Sequence, residues 1–304
     1  MDRRYAILDV FTDRPLAGNP LAVVLDGGGL GDLEMQMIAA EFNLSETVFV
    51  LPPQRPVHAA AVRIFTARQE LPFAGHPTVG TAVLLAMQRL KQGEGVAESV
   101  IILEEKVGPV RCGVFVPGAR RGHAVFDVPR MPEEVASRLD ADTLAGALGL
   151  RPGEIGFENH APSVFTAGAP YAFVPVRDLG ALARAKVVPE RWSAALADSS
   201  HAVYLYCRAT VAAGNQFRAR CFAPGAGILE DPATGGAAAA FPGVILRFDQ
   251  PPAGTHEYVI EQGFEMGRPS RIAIEVDVKG GGELAVRVSG DAVLIAEGVL
   301  SFDT

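Results

Sequence analysis

The chain has 304 residues, of which 49% are hydrophobic and 20% are charged, a composition typical of a globular protein with a sizeable core and not of a disordered one. A net charge of −8 would on average repel nucleic acid or an anionic membrane surface, so neither is expected as a partner. The apolar runs are too short to span a bilayer or to form a signal peptide, which favours a cytoplasmic protein.

The first part of the chain predicts strands packed around one helix. Because 304 residues exceed the roughly 250 that usually share one core, we expect two lobes. Residues 77–90 are apolar nearly all the way round, which predicts a buried helix inside a curved sheet. Short runs rich in Val, Ile and Phe predict strands at 4–11, 21–26, 47–51, 60–66, 99–106 and 109–116.

The polar, Gly-rich stretch 117–122 predicts the boundary between the lobes. Lobe one would then cover 1–120 and lobe two 121–289, with about 290–304 as a segment that could return to lobe one.

The second lobe is also predicted to consist of strands packed around one helix, but its helix is less regular. That helix is predicted to begin at Pro232 and to run to Ala240, because Pro242 should kink or end it. The C-terminal strands are predicted to form an antiparallel meander, with turns such as 279–282 and 289–291. The predicted strands of this lobe are 170–177, 201–207, 215–222, 256–262, 271–278, 284–288 and 291–301.

Four segments of the first lobe have counterparts in the second, in the same order. The pairs are AGNPLAVV (17–24) with AGAPYAFV (167–174), SETVF (45–49) with SHAVY (200–204), RIF (63–65) with RCF (220–222), and HPTVGTA (76–82) with DPATGGA (231–237). This order predicts an internal duplication, in which equivalent loops face each other about an approximate two-fold axis. The cleft between the lobes is therefore the expected place for chemistry.

The two helix starts predict an anion site. His76 and Asp231 each precede a proline and are predicted to be N-caps. The free N–H groups of a helix start favour anions, so two starts together could hold a carboxylate. Gly75, Gly235 and Gly236 would let a ligand approach the backbone; the alternative is that they serve only tight turns and helix packing.

Glu46 is an unusual residue at the start of the apolar segment TVFVL. Burial without a cation would raise its pKa toward neutrality, as general acid–base catalysis requires. The alternative is a solvated glutamate at a strand start. The corresponding position in the second lobe is His201, to which we assign no role.

Cysteine and histidine spacing argues against metal and disulfide sites. Cys112, Cys207 and Cys221 are odd in number and widely spaced, and the six histidines form no HxH or HExxH pattern. We expect buried thiols and no metal ion.

Four blocks make the chain resemble the PhzF family, the phenazine-biosynthesis-like isomerases, over essentially its whole length. The blocks are GNPLAVVLD (18–26), NLSETVFV (43–50), RIFTARQELPFAGHPTVGTA (63–82) and FAPGAGILEDPATGG (222–236). The resemblance implies an α+β fold like that of diaminopimelate epimerase, with two pseudo-symmetric lobes, each a curved and mostly antiparallel sheet wrapped around a central helix. It also implies a cofactor-independent isomerase that acts on a small carboxylic acid of the dihydro-hydroxyanthranilate type, and a homodimer.

The resemblance also implies roles for particular residues. Glu46 would move the proton, and His76 and Asp231 would assist and orient. The substrate-binding candidates in the matching blocks are Asn19, Ser45, Gly75, Gly235 and Gly236. The related epimerases use two cysteines, but none lies in 70–80 or 230–240, which excludes two-thiol racemisation.

Gly236 departs from the family pattern, in which a serine usually follows as DPATGS and contacts the substrate carboxylate. The departure removes a hydroxyl and keeps the backbone N–H. It leaves open a second hypothesis, a small-acid-binding protein that has lost catalysis. A nucleotide enzyme is disfavoured because Gly225 and Gly227 lack the full dinucleotide spacing.

Overall fold

The chain forms two compact units in a computed structural model that describes residues 2–93, 97–196, 200, 202–279 and 284–302. Unit 1 comprises Met1–Pro129 and Arg287–Thr304, and unit 2 comprises Arg130–Val286. The stretch 117–122, which the sequence analysis placed between lobes, is a hairpin turn inside unit 1, where Gly118 pairs with Arg121. Its glycines therefore serve a tight strand connection, and the division comes later, after Pro129.

The elements alternate between short strands and a few helices. Up to the division they are β1 (Asp2–Val10), β2 (Asn19–Val24), α1 (Asp32–Phe42), β3 (Glu46–Leu51), β4 (Ala60–Phe65), β5 (Glu70–Leu71), α2 (Gly75–Lys91), β6 (Glu98–Glu105), β7 (Gly108–Gly118) and β8 (Arg121–Asp127). After it come β9 (Glu133–Val135), α3 (Ala141–Ala147), β10 (Ser163–Thr166), β11 (Pro170–Pro175), α4 (Leu179–Arg184), α5 (Pro189–Leu196), β12 (Val203–Cys207), β13 (Phe217–Ala223), β14 (Ile228–Asp231), α6 (Gly235–Phe248), β15 (Gly254–Gln262), β16 (Ser270–Val278) and β17 (Leu284–Ser301). Short 3₁₀ turns occupy Pro224–Ala226 and Phe264–Met266.

Unit 1 is a closed ring of strands around α2. The ring runs β1–β2–β3–β4–β6–β7–β8–β17 and returns to β1. Closure leaves no unpaired sheet edge in this ring. Helix α2 contacts β1, β2, β3, β6, β7 and β8, and most of its residues are buried. The predicted buried helix at 77–90 is therefore confirmed, because a helix that is apolar on every side needs apolar neighbours all round.

Close packing of α2 depends on Gly80. A Cβ at this position would lie 2.6 Å from Cδ2 of Leu21 and 2.8 Å from Cγ2 of Val10. The absence of a side chain lets the helix approach β1 and β2.

Unit 2 repeats the pairing order of unit 1. In unit 1, β2 runs parallel to β3, β3 antiparallel to β4, and β4 parallel to β6. In unit 2, β11 runs parallel to β12, β12 antiparallel to β13, and β13 parallel to β15. Helix α6 contacts β9, β10, β11 and β16. The order of these strand pairings is therefore the same as the order of the similar sequence segments in the two halves of the chain.

Helix α6 differs from its prediction at both ends. It begins at Gly235 instead of Pro232, and it continues past Pro242 to Phe248. Proline removes one helix hydrogen bond, but residues 237–245 are all buried, and tertiary packing supplies most of the stability of such a helix.

Short helices that the sequence analysis did not predict cover other sheet faces. In unit 1, Met35 and Ile38 of α1 pack with Phe49 and Phe65. In unit 2, α3, α4 and α5 form a separate cluster, which includes Leu148, Leu182, Trp192, Val203 and Leu205.

The predicted C-terminal meander is partly wrong. Strands β15 and β16 form the expected antiparallel pair, but residues 289–291 lie inside β17 and not in a turn. Gly290 pairs with Ala124 of β8, and this cross-strand pairing overrides the local turn preference of Ser-Gly-Asp. Within the described residues, no helix combines the length and the apolar character needed to cross a bilayer.

Candidate active site

Three of the predicted site residues come together in unit 1. Glu46 is the first residue of β3, His76 is the second residue of α2, and Asn19 is the first residue of β2. Nε2 of His76 lies 3.3 Å from Oε2 of Glu46, and Nδ1 of His76 lies 3.2 Å from Nδ2 of Asn19. The Glu46 side chain is 12% exposed, whereas His76 and Asn19 are buried. Glu46 is therefore the one residue of the three whose side chain keeps some exposure, and its Oε2 is buried.

His76 is neutral and has a defined tautomer. Burial lowers its pKa to about 3. The Asn19 amide donates to Nδ1, so the ring proton of the neutral imidazole is on Nε2. Nε2–H then faces Oε2 of Glu46, and the contact is a neutral donor beside a carboxyl group instead of an ion pair. The histidine can orient Glu46 without adding a charge.

His76 and Asp231 are not the N-caps that the sequence predicted. Ala74 is the N-cap of α2, and His76 and Pro77 lie inside its first turn. Proline is tolerated there because the first four N–H groups have no partner within the helix. Thr234 is the N-cap of α6, and Asp231 lies three residues earlier, at the end of β14. Each residue is thus next to the helix start, but neither caps it.

Asp231 and Thr234 are held together in unit 2 by Gln262. The Thr234 hydroxyl donates to Oδ2 of Asp231 at 2.6 Å. Nε2 of Gln262 donates to the Asp231 carbonyl at 2.7 Å and to the Thr234 hydroxyl at 3.0 Å, and its Oε1 accepts from the Thr234 N–H at 3.1 Å. Ser270 adds a hydrogen bond to the Pro232 carbonyl at 3.0 Å. Thr234, Gln262 and Ser270 fix this loop, and none of them was predicted from the sequence.

The remaining candidates lie beside these clusters. Gly75 is the buried first residue of α2, and Ser45 is a half-buried residue directly before β3. Gly235 is the buried first residue of α6, and Gly236 after it is partly exposed. His201 lies outside the described residues. The expectation that both helix starts serve one substrate stays a prediction.

A buried acid below the first turn of α2 was also missed. Glu105 ends β6, and its Oε1 lies 2.7 Å from the Thr78 hydroxyl, which is 2.8 Å from the Ala74 carbonyl. The hydroxyl has a single proton, so both contacts are hydrogen bonds only if Glu105 is protonated and donates to the hydroxyl. Burial raises the pKa of Glu105 to about 8, which agrees with a protonated side chain. The strand alternation signals its position, since Ile101, Leu103 and Glu105 share the inner face.

Glu105 and Gln262 occupy matching positions in the two units. The pairing of β4 with β6 ends at Glu104, and the pairing of β13 with β15 ends at Glu261, so each residue follows the last paired position. Each side chain also contacts a threonine at a helix start. A protonated carboxyl group and an amide have similar shapes, and each contacts a threonine near a helix start, although Thr78 lies inside α2 and Thr234 is the N-cap of α6.

An arginine clamp precedes each helix start. In unit 1, Arg63 makes two hydrogen bonds to Glu70, at 2.7 and 2.6 Å, and its guanidinium lies over Phe65. In unit 2, Arg220 makes two hydrogen bonds to Glu230, at 2.7 and 2.8 Å, and lies over Phe222. The similar segments RIF (63–65) and RCF (220–222) therefore make the same contact in the two units. Each clamp holds the short strand that leads into α2 or α6.

The cysteines Cys112, Cys207 and Cys221 are free and buried, as predicted. Across the described ranges, no three His, Cys, Asp or Glu side chains are grouped as metal ligands.

Comparison with known proteins gives a consistent match. The family model described as phenazine biosynthesis-like protein matches residues 8–298. A protein from Mesorhizobium japonicum named uncharacterized isomerase is 48% identical over 302 residues, 98% of each chain. A trans-2,3-dihydro-3-hydroxyanthranilate isomerase from Pseudomonas aeruginosa is 36% identical over 295 residues, 97% of this chain and 98% of the relative.

Solved structures agree with this match. A Bacillus anthracis phenazine biosynthesis protein of the PhzF family superposes with a TM-score of 0.87 at 25% identity, covering 99% of this chain and 100% of that one. A hydroxyproline epimerase from Agrobacterium vitis, at 13% identity, has a TM-score of 0.62 over 100% of this chain and 93% of that one, which shows the fold alone. The predicted epimerase-like α+β fold is confirmed.

Proposed function

Because the chain belongs to the PhzC-PhzF family of phenazine biosynthesis-like proteins, we propose that it is an isomerase in which Glu46 moves a proton on a small unsaturated or cyclic carboxylic acid. The observation that carries the proposal is the 3.3 Å contact between Glu46 and the neutral His76. The isomerase names of the relatives support the same reaction class.

Glu46 acts as base and then as acid. Its carboxylate removes a proton from a carbon next to the conjugated system of the acid, and the C–H electron pair moves into that system. The protonated Glu46 then returns the proton to a different carbon, so that one C–H bond breaks, one forms and the double bonds shift. Nε2 of His76 lies 3.3 Å from Oε2 and packs against the carboxyl group, which limits its orientation.

The reaction needs no cofactor, since atoms and electrons balance with a proton carrier alone. In this proposal Asp231, Thr234 and the start of α6 contribute to binding of the anionic acid, because helix N–H groups favour a carboxylate. Asn19 is a positioning residue that sets the tautomer of His76.

Replacement of Glu46 by Gln tests the proposal with trans-2,3-dihydro-3-hydroxyanthranilate, the compound named for the relatives. Gln keeps the shape and removes the basicity, so kcat should fall by about 10²- to 10⁴-fold, with little change in Tm. Glu41→Gln, at an exposed position of α1, is the matched control and should keep full activity. A Glu46→Gln variant as active as the wild type would show that the base is another residue.

Gly236 favours the second hypothesis, a protein that binds the acid without converting it, because a side chain is missing at the start of α6. Solvent deuterium separates the two. An isomerase should convert the acid to a product with shifted double bonds, and in D₂O it should add deuterium to the product carbon whenever the protonated Glu46 exchanges with solvent before it returns the proton, whereas a binding protein should leave the acid unconverted and unlabelled.

A further inference from the structure

A tyrosine fills the space next to Gly236. A Cβ built on Gly236 would lie 2.7 Å from the hydroxyl oxygen of Tyr171, closer than real Cβ contacts come. The ring atoms Cζ and Cε2 would lie at 3.5 and 3.6 Å, which is ordinary van der Waals distance. A side chain at position 236 would therefore meet the hydroxyl and not the ring, and the hydroxyl would have to move.

Tyr171 reaches this position from β11. Its backbone pairs with Phe165 of β10, and its ring centroid lies 6.3 Å from that of Phe173. Phe173 in turn packs against Phe241 of α6, with the ring centroids 5.7 Å apart. The tyrosine is thus supported by the aromatic packing of α6, yet it remains partly exposed. Its hydroxyl is held beside the first turn of α6 and can meet a ligand.

A second hydroxyl, that of Tyr204, lies in the same region. Tyr204 is fully buried, and its hydroxyl has no hydrogen-bond partner among the described residues. Burial raises its pKa well above the usual range, and the neighbouring Cys221, Asp231 and Tyr171 raise it further. A buried hydroxyl without a partner is costly. The hydroxyl of Tyr204 therefore stays protonated beside Asp231 and Tyr171.

On the premise of the isomerase function above, we propose that Tyr171 binds the carboxylate of the acid. Its hydroxyl donates a hydrogen bond to the carboxylate at the start of α6, where the N–H groups also favour an anion. The absence of a side chain at Gly236 makes room for this hydroxyl. Tyr171 and Gly236 act as a pair, and together they determine which acids bind.

Anthranilate, a planar aminobenzoate that cannot isomerise in the same way, is the probe for calorimetric titration. Tyr171→Phe should raise its Kd by about 10- to 100-fold, the loss expected for a hydrogen bond to a charged group, with little change in Tm. Anthranilamide, which lacks the negative charge, should show a smaller loss.

The pair is tested with Gly236→Ser. In the wild type this change should lower Tm, because the new Cβ would meet the hydroxyl at 2.7 Å. In the Tyr171→Phe background the nearest ring atoms are at 3.5 Å, so Tm should be kept, and the serine hydroxyl should restore part of the anthranilate affinity. Tyr5 and Gly298 are the matched control pair. A Cβ on Gly298 would lie 2.7 Å from ring atoms of Tyr5 as well as from its hydroxyl, so Tyr5→Phe should not reduce the fall in Tm caused by Gly298→Ser.

Wild-type affinity for anthranilate in Tyr171→Phe would overturn the inference, as would a wild type that does not bind anthranilate at millimolar concentration. An equal effect of Gly236→Ser on Tm in both backgrounds would overturn the pairing. Because the titrations need no turnover, these results are distinguishable from a failure of the Glu46 mechanism. That failure would be seen as full activity of Glu46→Gln with unchanged anthranilate binding.

Discussion

Glu105→Gln should change how the stability of the protein depends on pH. The folded state keeps Glu105 protonated up to a pKa of about 8, whereas the unfolded chain releases the proton near 4.5. Between these values the folded state binds one proton more than the unfolded state, so the free energy of unfolding falls as pH rises. The slope is about 1.4 kcal/mol per pH unit, and the total contribution is about 5 kcal/mol.

Glutamine removes this titration and keeps the contact with Thr78, as Gln262 does with Thr234. It leaves one amide N–H without a partner, at a cost of about 1–3 kcal/mol. We therefore expect Glu105→Gln to be less stable than the wild type near pH 5 and more stable, by about 2–4 kcal/mol, above pH 8.

Urea unfolding followed by circular dichroism at half-unit steps from pH 5 to 8.5 measures the difference. Other titrating groups are common to both proteins and cancel in the comparison. Parallel curves for the wild type and Glu105→Gln would refute a protonated Glu105, and the hydroxyl of Thr78 would then have to donate to the carboxylate.

Two further changes test the neighbourhood of α2. The pKa of His76 is about 3 in the folded state and 6.5 ordinarily, so between these values only the unfolded state gains a proton as pH falls. The free energy of unfolding of the wild type should therefore fall by about 1.4 kcal/mol per pH unit below 6.5, and His76→Asn should remove this fall. An equal stability difference between the two proteins at pH 4.5 and pH 7 would contradict this. Gly80→Ala should cost about 1–3 kcal/mol because its Cβ would lie 2.6 Å from Leu21. Gly28→Ala, where no atom lies within 4 Å, is its control in urea unfolding, and similar midpoints for the two variants would argue against tight packing of α2 on β2.

Hydrophobic pattern predicted the central helix well because α2 is apolar on every side. Glu46 stood out for the related reason that a carboxylate begins an apolar strand. The helix starts were predicted less well, since proline marks the first turn without fixing which of its positions it occupies. The sequence alone could assign neither the partners of Glu105 and Gln262 nor the contact of Tyr171 with Gly236. These join residues far apart in the chain, and only the strand register brings them together.

Strand β17 closes the ring of unit 1 between β8 and β1, yet it follows the strands of unit 2 in the chain. Until it arrives, the nascent β1 and β8 each expose a row of unpaired backbone groups, which is a template for association with other chains. Unit 1 therefore cannot complete its barrel during translation of unit 2. A chain truncated before Arg287 would therefore hold a ring that lacks its closing strand and is prone to aggregate.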